Sequence, residues 1–208
     1  MTGKNVFLFK EELFMGTTQP IRNKDELKLF LEYYRNTQPS KRNFALISLG
    51  LHTALRISDI LKLQWKDVYD MEKDTFRSHL SIYEQKTGKL NTIALNPHVI
   101  KALRDYKATR ETESDDFIFS KNTDYHTPLS RSQAFRIVKH AAMESLHMEN
   151  ISCHSLRKTF GYHAWKQGTP PALLMDIYNH SSYRVTKKYL GIEQDERDDI
   201  FLTIEIDV

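Results

Sequence analysis

Thiols are nearly absent from this sequence, in which Cys153 is the only cysteine among 208 residues. A single thiol cannot form an internal disulfide. Without a second thiol, the nine histidines make no structural zinc pattern such as paired Cys-x-x-Cys or His-Glu-x-x-His. The glycine-rich phosphate-binding loop of P-loop proteins is missing as well. We therefore expect neither a metal ion nor a cofactor.

Long apolar runs are also absent. No stretch approaches the length of about 18 apolar residues that a membrane-spanning helix needs. Residues 1–10 lack the charged-then-apolar pattern of a secretory signal. With 40% hydrophobic residues, the chain has enough apolar material for a sizeable core. We expect one compact cytoplasmic domain with short extensions and no membrane partner.

The charge is distributed unevenly along the chain. The net charge of +3 hides an acidic carboxyl-terminal segment, residues 193–208, which has seven acidic residues against one basic and a net charge of −6. The remaining 192 residues carry +9. A basic body favours a polyanionic partner, and the acidic segment would compete for the same surface or dock on a neighbour. From charge alone, a solvated charged surface remains the alternative.

Apolar periodicity predicts a mostly helical chain. Helices are predicted to start at Asn23, Ser40, Ser58, Pro97 and Ser130, near His154, and over the short ranges 172–178 and 183–190. The helix after Ser130 is predicted to bury Phe135, Val138, Ala141, Ala142 and Leu146.

Only a small part of the chain has the period of a strand. Residues 76–95 are predicted to form a hairpin with Lys86 at its lip. Residues 120–128 are predicted to be a loop and residues 200–206 a short strand-like segment. No alternation of strands and helices indicates a large parallel sheet. The predicted fold class is therefore mainly α with a small antiparallel β-sheet.

The groups with the clearest chemistry lie between positions 152 and 191. His154 and Arg157 are three residues apart, on one face of a first helical turn, and His180 and Tyr189 follow. Arginine binds phosphate oxygens with forked hydrogen bonds, histidine exchanges protons near neutral pH, and a tyrosine hydroxyl can attack phosphorus. These groups suit a metal-free phosphoryl-transfer site. Taken singly each is commonplace, and three tyrosines rival Tyr189: Tyr162, Tyr178 and Tyr183.

Two further cationic residues lie upstream. Arg56 is in the segment Thr-Ala-Leu-Arg-Ile-Ser-Asp, where alone it would be a surface arginine or a partner of Asp59. Lys86 is in the hairpin segment Gln-Lys-Thr-Gly-Lys, where lysines are commonplace. Only the joint pattern gives either residue a functional interpretation.

Together these segments resemble the catalytic domain of the tyrosine recombinases, the phage integrase family. The resemblance covers residues 56–189, with four boxes in the family's order: the Arg56 segment, the Lys86 segment, His-Ser-Leu-Arg, and His180 with Tyr189. It departs at Asn179, where the family usually has glycine, a change that alters the turn without removing a catalytic group. The resemblance implies a fold like that of tyrosine recombinase catalytic domains.

The resemblance also implies the chemistry. Tyr189 would attack the scissile phosphate, which gives a 3′-phosphotyrosyl link and a free 5′ hydroxyl. Arg56 and Arg157 would bind the nonbridging oxygens. His180 would add a hydrogen bond there, and His154 would exchange a proton with the tyrosine or with water. Because the link retains the energy of the broken bond, resealing would need no cofactor.

The hairpin would supply the acid of the reaction. Lys86 would protonate the leaving 5′ oxygen, and it is preferred to Lys89 because it immediately precedes the Thr-Gly turn. Asp59 would be a supporting residue without direct contact to the substrate.

The implied partner is double-stranded DNA. Six basic residues are predicted to contact its phosphates without reading sequence: Arg131, Arg136, Lys139, Arg184, Lys187 and Lys188. We expect a homo-oligomer on DNA, a tetramer in synapsis, in which residues 200–206 pack on a neighbouring protomer. An accessory directionality protein and nucleoid association in a bacterial or mobile-element host cell are further expectations.

The resemblance divides the chain into three parts: an N-terminal extension, 1–22, the catalytic domain, 23–192, and the acidic segment, 193–208. The amino-terminal helical domain that usually closes the family's clamp around DNA has no room here. The chain is therefore a short recombinase, similar to the fimbrial invertases, or part of a longer protein, and Met1 favours the first.

The predicted function is site-specific recombination that integrates, excises or inverts DNA. A type IB topoisomerase would use similar chemistry without a defined site, and a DNA-binding protein with a relic site is the other alternative.

Overall fold

Helices dominate the computed structural model, which describes residues 18–121 and 123–206. The α-helices of the described chain are α1 Lys24–Glu32, α2 Lys41–Thr53, α3 Ile57–Ile60, α4 Trp65–Val68, α5 Pro97–Lys107, α6 Arg131–Leu146, α7 Cys153–Lys166, α8 Pro171–Tyr178, α9 Tyr183–Leu190 and α10 Glu193–Thr203. A π-helical turn, Tyr33–Thr37, continues α1. The mainly α prediction is confirmed.

Short polar side chains begin three of the helices at the predicted positions. The Asn23 side chain accepts hydrogen bonds from the backbone N–H groups of Asp25 and Glu26. Ser40 accepts from the N–H of Asn43, and Ser130 makes a reciprocal capping box with Gln133. These bonds satisfy donors that the first turn of a helix leaves without partners.

The prediction that Ser58 caps a helix is wrong. Ala54 takes the left-handed conformation (φ 55°) and ends α2, so α3 starts at once with Arg56 as its N-cap. The Arg56 carbonyl accepts from the N–H groups of Asp59 and Ile60. Ser58 therefore lies inside α3, and the abrupt turn puts Arg56 at a helix start beside the core.

Helix α2 lies at the centre of the core, as its apolar surface predicts. Leu46, Ile47 and Leu49 have no exposed surface, and α2 packs on both α5 and α7. Burying one such side chain contributes about 1.5–3 kcal/mol. Because the end of α2 leads directly to Arg56, this rigid packing also fixes the position of that arginine.

The described β-structure consists of three separate antiparallel pairs instead of a single small sheet. They pair β1 Tyr69–Asp70 with β2 Thr75–Phe76, β3 His79–Tyr83 with β4 Leu90–Ala94, and β5 Ser120–Lys121 with β6 Asp124–Pro128. The β3–β4 hairpin, in which Tyr83 lies opposite Leu90, is the predicted one. The loop prediction for 120–128 is wrong, since Ser120 pairs with Pro128 and Lys121 with Asp124 across a short turn.

Two predictions of side-chain burial and local structure also need correction. Phe135 is 41% exposed because it follows the buried Ala134 in α6, and neighbouring helical residues are turned about 100° apart. The segment 200–206 is not strand-like, since α10 continues to Thr203. Its apolar residues point to solvent: Ile200, Phe201, Leu202, Ile204 and Ile206 are 62–83% exposed.

A short strap, residues 18–22, lies across α7. The Ile21 N–H donates to Thr159 Oγ1 (2.9 Å), and the Ile21 carbonyl bonds His163 Nε2 (3.0 Å). Lys158 donates to the carbonyl of Thr18 (2.6 Å). Most of the predicted N-terminal extension, residues 1–17, lies outside the described residues.

Helix α10 is attached to the same region by ion pairs. Arg22 pairs with Asp195 (3.1 Å), Lys187 with Glu196 (3.1 Å), and Lys166 with Asp199 (3.1 Å). The acidic side of α10 is therefore held in cis while its apolar side remains uncovered. None of the helices in the described ranges is both long and apolar enough to cross a membrane.

Candidate active site

Arg56 enters the site from the N-cap of α3. Its side chain is 20% exposed, and Nη1 donates to Oε2 of Glu84 at 2.6 Å. The carboxylate that holds Arg56 is thus Glu84 and not Asp59, the partner considered from the sequence. One N–H group is used in this pair, and the planar guanidinium has others with which to bind a phosphate.

Glu84 is a functional candidate that sequence analysis missed. It is only 4% exposed, and it also accepts from Asn91 Nδ2 (3.0 Å) and Thr87 Oγ1 (3.3 Å). Burial acts to raise the pKa of Glu84, but hydrogen bonds from Arg56 and Asn91 and the charges of Arg56 and Arg157 lower it overall. A signal existed, because Glu84 continues the inward phase of Leu80 and Ile82 in a strand of period two.

Arg157 is the most deeply buried cation of the site. It is 3% exposed, and its guanidinium lies over the ring of Tyr178, with Cζ 4.6 Å from the centroid. It donates to the carbonyl of Ala54 and, at 3.4 Å, to that of Tyr178. These partners are dipoles and an aromatic face, so they fix the arginine without neutralising its charge.

His180 lies at the turn between α8 and α9. Nδ1 is 3.1 Å from Oγ1 of the buried Thr186, and the ring stacks on Tyr178 at a centroid distance of 5.4 Å. Burial, followed by the charges of Arg157, Arg56 and Lys86, lowers the pKa of His180 to about 4. The imidazole is therefore neutral at pH 7 in the absence of substrate.

Tyr189, on α9, contacts the groups that the sequence predicts beside it. Its ring lies edge-on to His180, with centroids 5.3 Å apart, and its hydroxyl is hydrogen-bonded to Arg157. Burial raises the pKa of Tyr189 above its ordinary value, although the charges of Arg157 and Arg56 and the hydrogen bond act to lower it. The hydroxyl is therefore protonated at neutral pH, and a nucleophilic role requires a proton acceptor.

The three rival tyrosines have other roles. Tyr178 has no exposed surface and donates to the carbonyl of Arg157 (2.6 Å). Tyr183 donates to Glu196, and Tyr162 is 8% exposed in a small cluster with Tyr178. Each supports the packing around Tyr189.

Lys86 and Lys89 differ clearly in their surroundings. Within the part of the chain that the structure describes, exposed Lys86 makes no hydrogen bond or ion pair, yet its charge acts on His180. Lys89 donates to Asn179 Oδ1 (2.8 Å). Asn179 takes the left-handed conformation (φ 54°, ψ 47°) that glycine adopts easily and asparagine tolerates, so the turn keeps this conformation without a glycine.

The remaining predicted residues lie around this centre. His154 is half-buried at the second position of α7, one turn before Arg157. Asp59 is 4% exposed and accepts from the backbone N–H of Gln85 (3.1 Å), so it ties α3 to the hairpin turn. No group of three or more metal-ligating side chains within residues 18–121 and 123–206 could hold a metal ion.

A second buried cation was missed by sequence analysis. Lys158 is 8% exposed, and its Nζ lies 5.4 Å from the centroid of the Tyr189 ring. Burial lowers the pKa of Lys158. Its only sequence signal is its place directly after Arg157.

The basic residues predicted to contact DNA lie on two helices. On α6, Arg131 and Arg136 are exposed, while Lys139 donates to the carbonyl of Glu149. On α9, Arg184 and Lys188 are exposed, while Lys187 is paired with Glu196 of α10. The prediction that the acidic segment competes for basic surface thus has a structural counterpart at Lys187.

Comparison with known proteins identifies the family. The model of the phage integrase family matches residues 22–196. The probable integrase/recombinase YoeC of Bacillus subtilis strain 168 is 37% identical over 181 residues, which are 87% of this chain and 93% of that protein.

Solved structures agree with the fold. A crystal structure of XerA recombinase has a TM-score of 0.72 at 20% identity, over 91% of this chain and 66% of that one. The XerH site-specific recombinase bound to a palindromic difH substrate, a post-cleavage complex, has a TM-score of 0.69 at 20% identity, over 91% of this chain and 53% of that one. With the matching family model and the arginine, histidine and tyrosine groups around Tyr189, these likenesses lead to one conclusion: the chain belongs to the phage integrase family of tyrosine recombinases.

Proposed function

We propose that this chain is a site-specific DNA recombinase that cleaves and rejoins DNA through a 3′-phosphotyrosyl intermediate. The observation that carries the proposal is the position of Tyr189, whose hydroxyl is bonded to the buried Arg157 and whose ring contacts His180. A nucleophile, a phosphate-binding cation and an imidazole are therefore already assembled before substrate arrives.

Arg56 and Arg157 bind the nonbridging oxygens of the scissile phosphate. Both are held before substrate binds, Arg56 by Glu84 and Arg157 by the carbonyls of Ala54 and Tyr178. Fixed cations stabilise charge that grows in the transition state without reorganising, and loss of one such donor costs about a hundred- to a thousandfold in rate.

His180 supplies a further hydrogen bond to the same phosphate. In the free protein, two arginines and Lys86 act against its protonation. A bound phosphate anion offsets those positive charges, so substrate binding raises the proton affinity of the imidazole. Thr186 fixes the ring orientation through Nδ1.

The proton balance of cleavage involves two side chains. The bond from Tyr189 Oη to phosphorus forms as the bond from phosphorus to O5′ breaks. His154 takes the phenolic proton, directly or through water, and Lys86 gives a proton to O5′, each with an effect of about a hundred- to ten-thousandfold. Attack by a 5′ hydroxyl on the phosphotyrosine reverses these steps and reseals the strand.

The partner is double-stranded DNA, and assembly on it completes the proposal. The basic side chains of α6 and α9 contact its phosphates, and two recombination sites come together in a homotetramer. The division into an N-terminal extension, a catalytic domain over 23–192 and an acidic segment agrees with the matched range 22–196. The uncovered apolar side of α10 packs on a neighbouring protomer. An accessory directionality protein and a location at the nucleoid of the host cell belong to the same proposal.

The test finds the target sites by itself. Wild type and Tyr189→Phe are incubated with sheared host DNA, quenched in detergent, and the DNA that stays attached to protein is sequenced. We expect only the wild type to enrich a few loci with inverted repeats. Equal capture by both proteins would overturn the proposal, and capture by wild type at random loci would indicate a topoisomerase.

A further inference from the structure

We propose that Glu84 is a positioning residue of the cleavage reaction, which sets the geometry of Arg56 and of the turn that carries Lys86, at the expense of affinity for the phosphate. This inference rests on the proposed recombinase function. It concerns a carboxylate that no part of the chemistry described so far requires.

The first step of the argument is that Glu84 is itself fixed. Its carboxylate accepts from Asn91 Nδ2 at 3.0 Å and from Thr87 Oγ1 at 3.3 Å, and only 4% of the residue is exposed. A buried carboxylate without partners would be costly, so these donors and Arg56 hold it in one orientation. The lowered pKa of Glu84 means that it remains ionised at neutral pH.

The second step is that Arg56 depends on Glu84. The ion pair from Arg56 Nη1 to Glu84 Oε2 is 2.6 Å long, and the side chain of Arg56 is partly exposed. A long, flexible side chain at the start of a four-residue helix has many rotamers, and one short charge-assisted bond to a fixed carboxylate selects among them.

The third step is that the backbone of the same residue builds the hairpin turn. The Glu84 carbonyl accepts from the N–H of Gly88 (2.8 Å), and the Glu84 N–H donates to the carbonyl of Lys89 (3.0 Å). Lys86 lies inside this closed turn. Glu84 therefore links the phosphate-binding arginine to the segment that carries the proposed acid.

The fourth step concerns charge. A buried anion beside Arg56, which also acts on Arg157, opposes the arrival of a phosphate anion at the same cations. The carboxylate thus weakens binding of the ground state while it fixes groups needed in the transition state. Energy used for orientation instead of ground-state binding raises the rate of the chemical step.

These steps predict a split between affinity and rate. In Glu84→Gln, the shape of the side chain remains but the charge is lost, so apparent affinity for DNA should be unchanged or a few times tighter. The single-turnover rate of covalent-adduct formation should fall by on the order of tenfold or more, because misplacement by about 1 Å costs up to a hundredfold. A merely structural role would lower both quantities together.

The experiment uses the full chain and nicked duplex oligonucleotides made from loci that the wild type captures. It compares wild type, Glu84→Gln, Glu84→Asp and the exposed control Glu111→Gln, with binding measured by fluorescence anisotropy and adduct formation in detergent gels. Urea unfolding of each variant shows whether the fold persists. Adding Glu84→Gln to Arg56→Ala should change the rate less than twofold if Glu84 acts through Arg56.

The outcomes are distinct. A slower rate with retained affinity in Glu84→Gln, and no further loss in the Arg56→Ala background, supports the proposal. A Tyr189-dependent adduct that forms at the wild-type rate in Glu84→Gln, or a full additional loss in the Arg56→Ala background, overturns the role of Glu84 alone. Failure of wild type to form any adduct overturns the recombinase function and this inference with it.

Discussion

Single residues in this site are adjusted by their neighbours before any substrate is present. Arg157 is buried yet keeps its charge because carbonyl dipoles and the Tyr178 ring surround it. The same charge, with that of Arg56, helps keep His180 neutral. The free site is therefore a positive pocket whose imidazole awaits the anion.

The depressed pKa of His180 gives a pH dependence of stability. In the unfolded chain the imidazole is protonated below about pH 6.5, whereas in the folded protein it stays neutral down to about pH 4. The unfolded state binds more protons in this window, so stability falls as the pH falls from about 6.5 to about 4. At pH 5, His180 should cost the protein about 1–2 kcal/mol relative to pH 7.5.

Urea unfolding at pH 5 and pH 7.5 measures that dependence. His180→Gln removes the titrating group, so its loss of stability between the two pH values should be smaller than that of the wild type by this amount. Other histidines, such as His52, contribute equally to both proteins and cancel in the comparison. Identical losses in the two proteins would show that the folded imidazole titrates normally.

The two lysines of the hairpin should differ in their effect on cleavage. Lys86→Ala should lower adduct formation by about a hundredfold or more, since it removes the acid. A substrate with sulfur in place of the 5′ bridging oxygen should restore most of that rate, because a thiolate leaves without a proton. Lys89→Ala removes only the bond to Asn179 and should change the rate by less than about tenfold. Abolition of cleavage by Lys89→Ala, with Lys86→Ala active, would reverse the assignment.

Residues with a distinctive chemical type could be predicted from the sequence, but their partners could not. Tyr189, Arg157 and His180 stand out because arginine, histidine and tyrosine recur in order. Glu84 looks like one more polar residue of a hairpin, and its importance follows from a contact with Arg56, 28 positions earlier in the chain. A one-dimensional pattern does not contain such a long-range contact.

Among the elements, α7, α8 and α9 form one tightly packed unit around Gly161. A Cβ atom at this position would overlap the Tyr178 hydroxyl and lie 2.5 Å from Leu190 Cδ2. The three helices meet where one carries Arg157, the next ends at Tyr178 and the last carries Tyr189. Close packing of these helices therefore determines the distance between arginine and tyrosine.

Gly161→Ala should destabilise the protein by about 1–3 kcal/mol through overpacking, although alanine is the better helix former. Tyr178→Phe removes the nearest oxygen, so the double variant should be less destabilised than the sum of the single variants. Urea midpoints of the four proteins measure this coupling. Additive losses would mean that the helices separate instead of clashing.

Elements with a strong period or a good cap were predictable, and the shortest ones were not. Asn23 and Ser130 announce their helices by side-chain chemistry that acts within one turn. The β5–β6 pair has a two-residue first strand, which is too short to show a period. The start of α3 depends on the left-handed Ala54, and nothing in an alanine signals that conformation.

For the whole molecule, the separation of charge is resolved in cis. Helix α10 places Asp195, Glu196 and Asp199 on basic partners and leaves apolar side chains exposed at its far end. The acidic segment thus has one side engaged within the chain and another side available to a second copy.

A chain that ends at Gln194 should lose assembly on DNA, because the apolar residues of α10 are removed. Its binding to nonspecific DNA should become tighter, with a slope of log affinity against log salt steeper by about one, since Lys187 is released. Gel shift and salt titration measure the two effects. Glu196→Gln is the matched control: it should change the salt slope and leave assembly intact. Normal recombination by the shortened chain would refute the inter-protomer role.

The strap of residues 18–22 connects the amino-terminal side of the chain mechanically to the nucleophile. Lys158 holds the Thr18 carbonyl and lies 5.4 Å from the ring of Tyr189, while Arg22 donates to the carbonyl of Gly191 at the end of the tyrosine helix. A pull on the chain ahead of residue 18 would reach the tyrosine through one side chain at each end of the strap. A tag or domain fused on that side would act as a lever on catalysis, so its effect on cleavage reports force transmission and not only bulk.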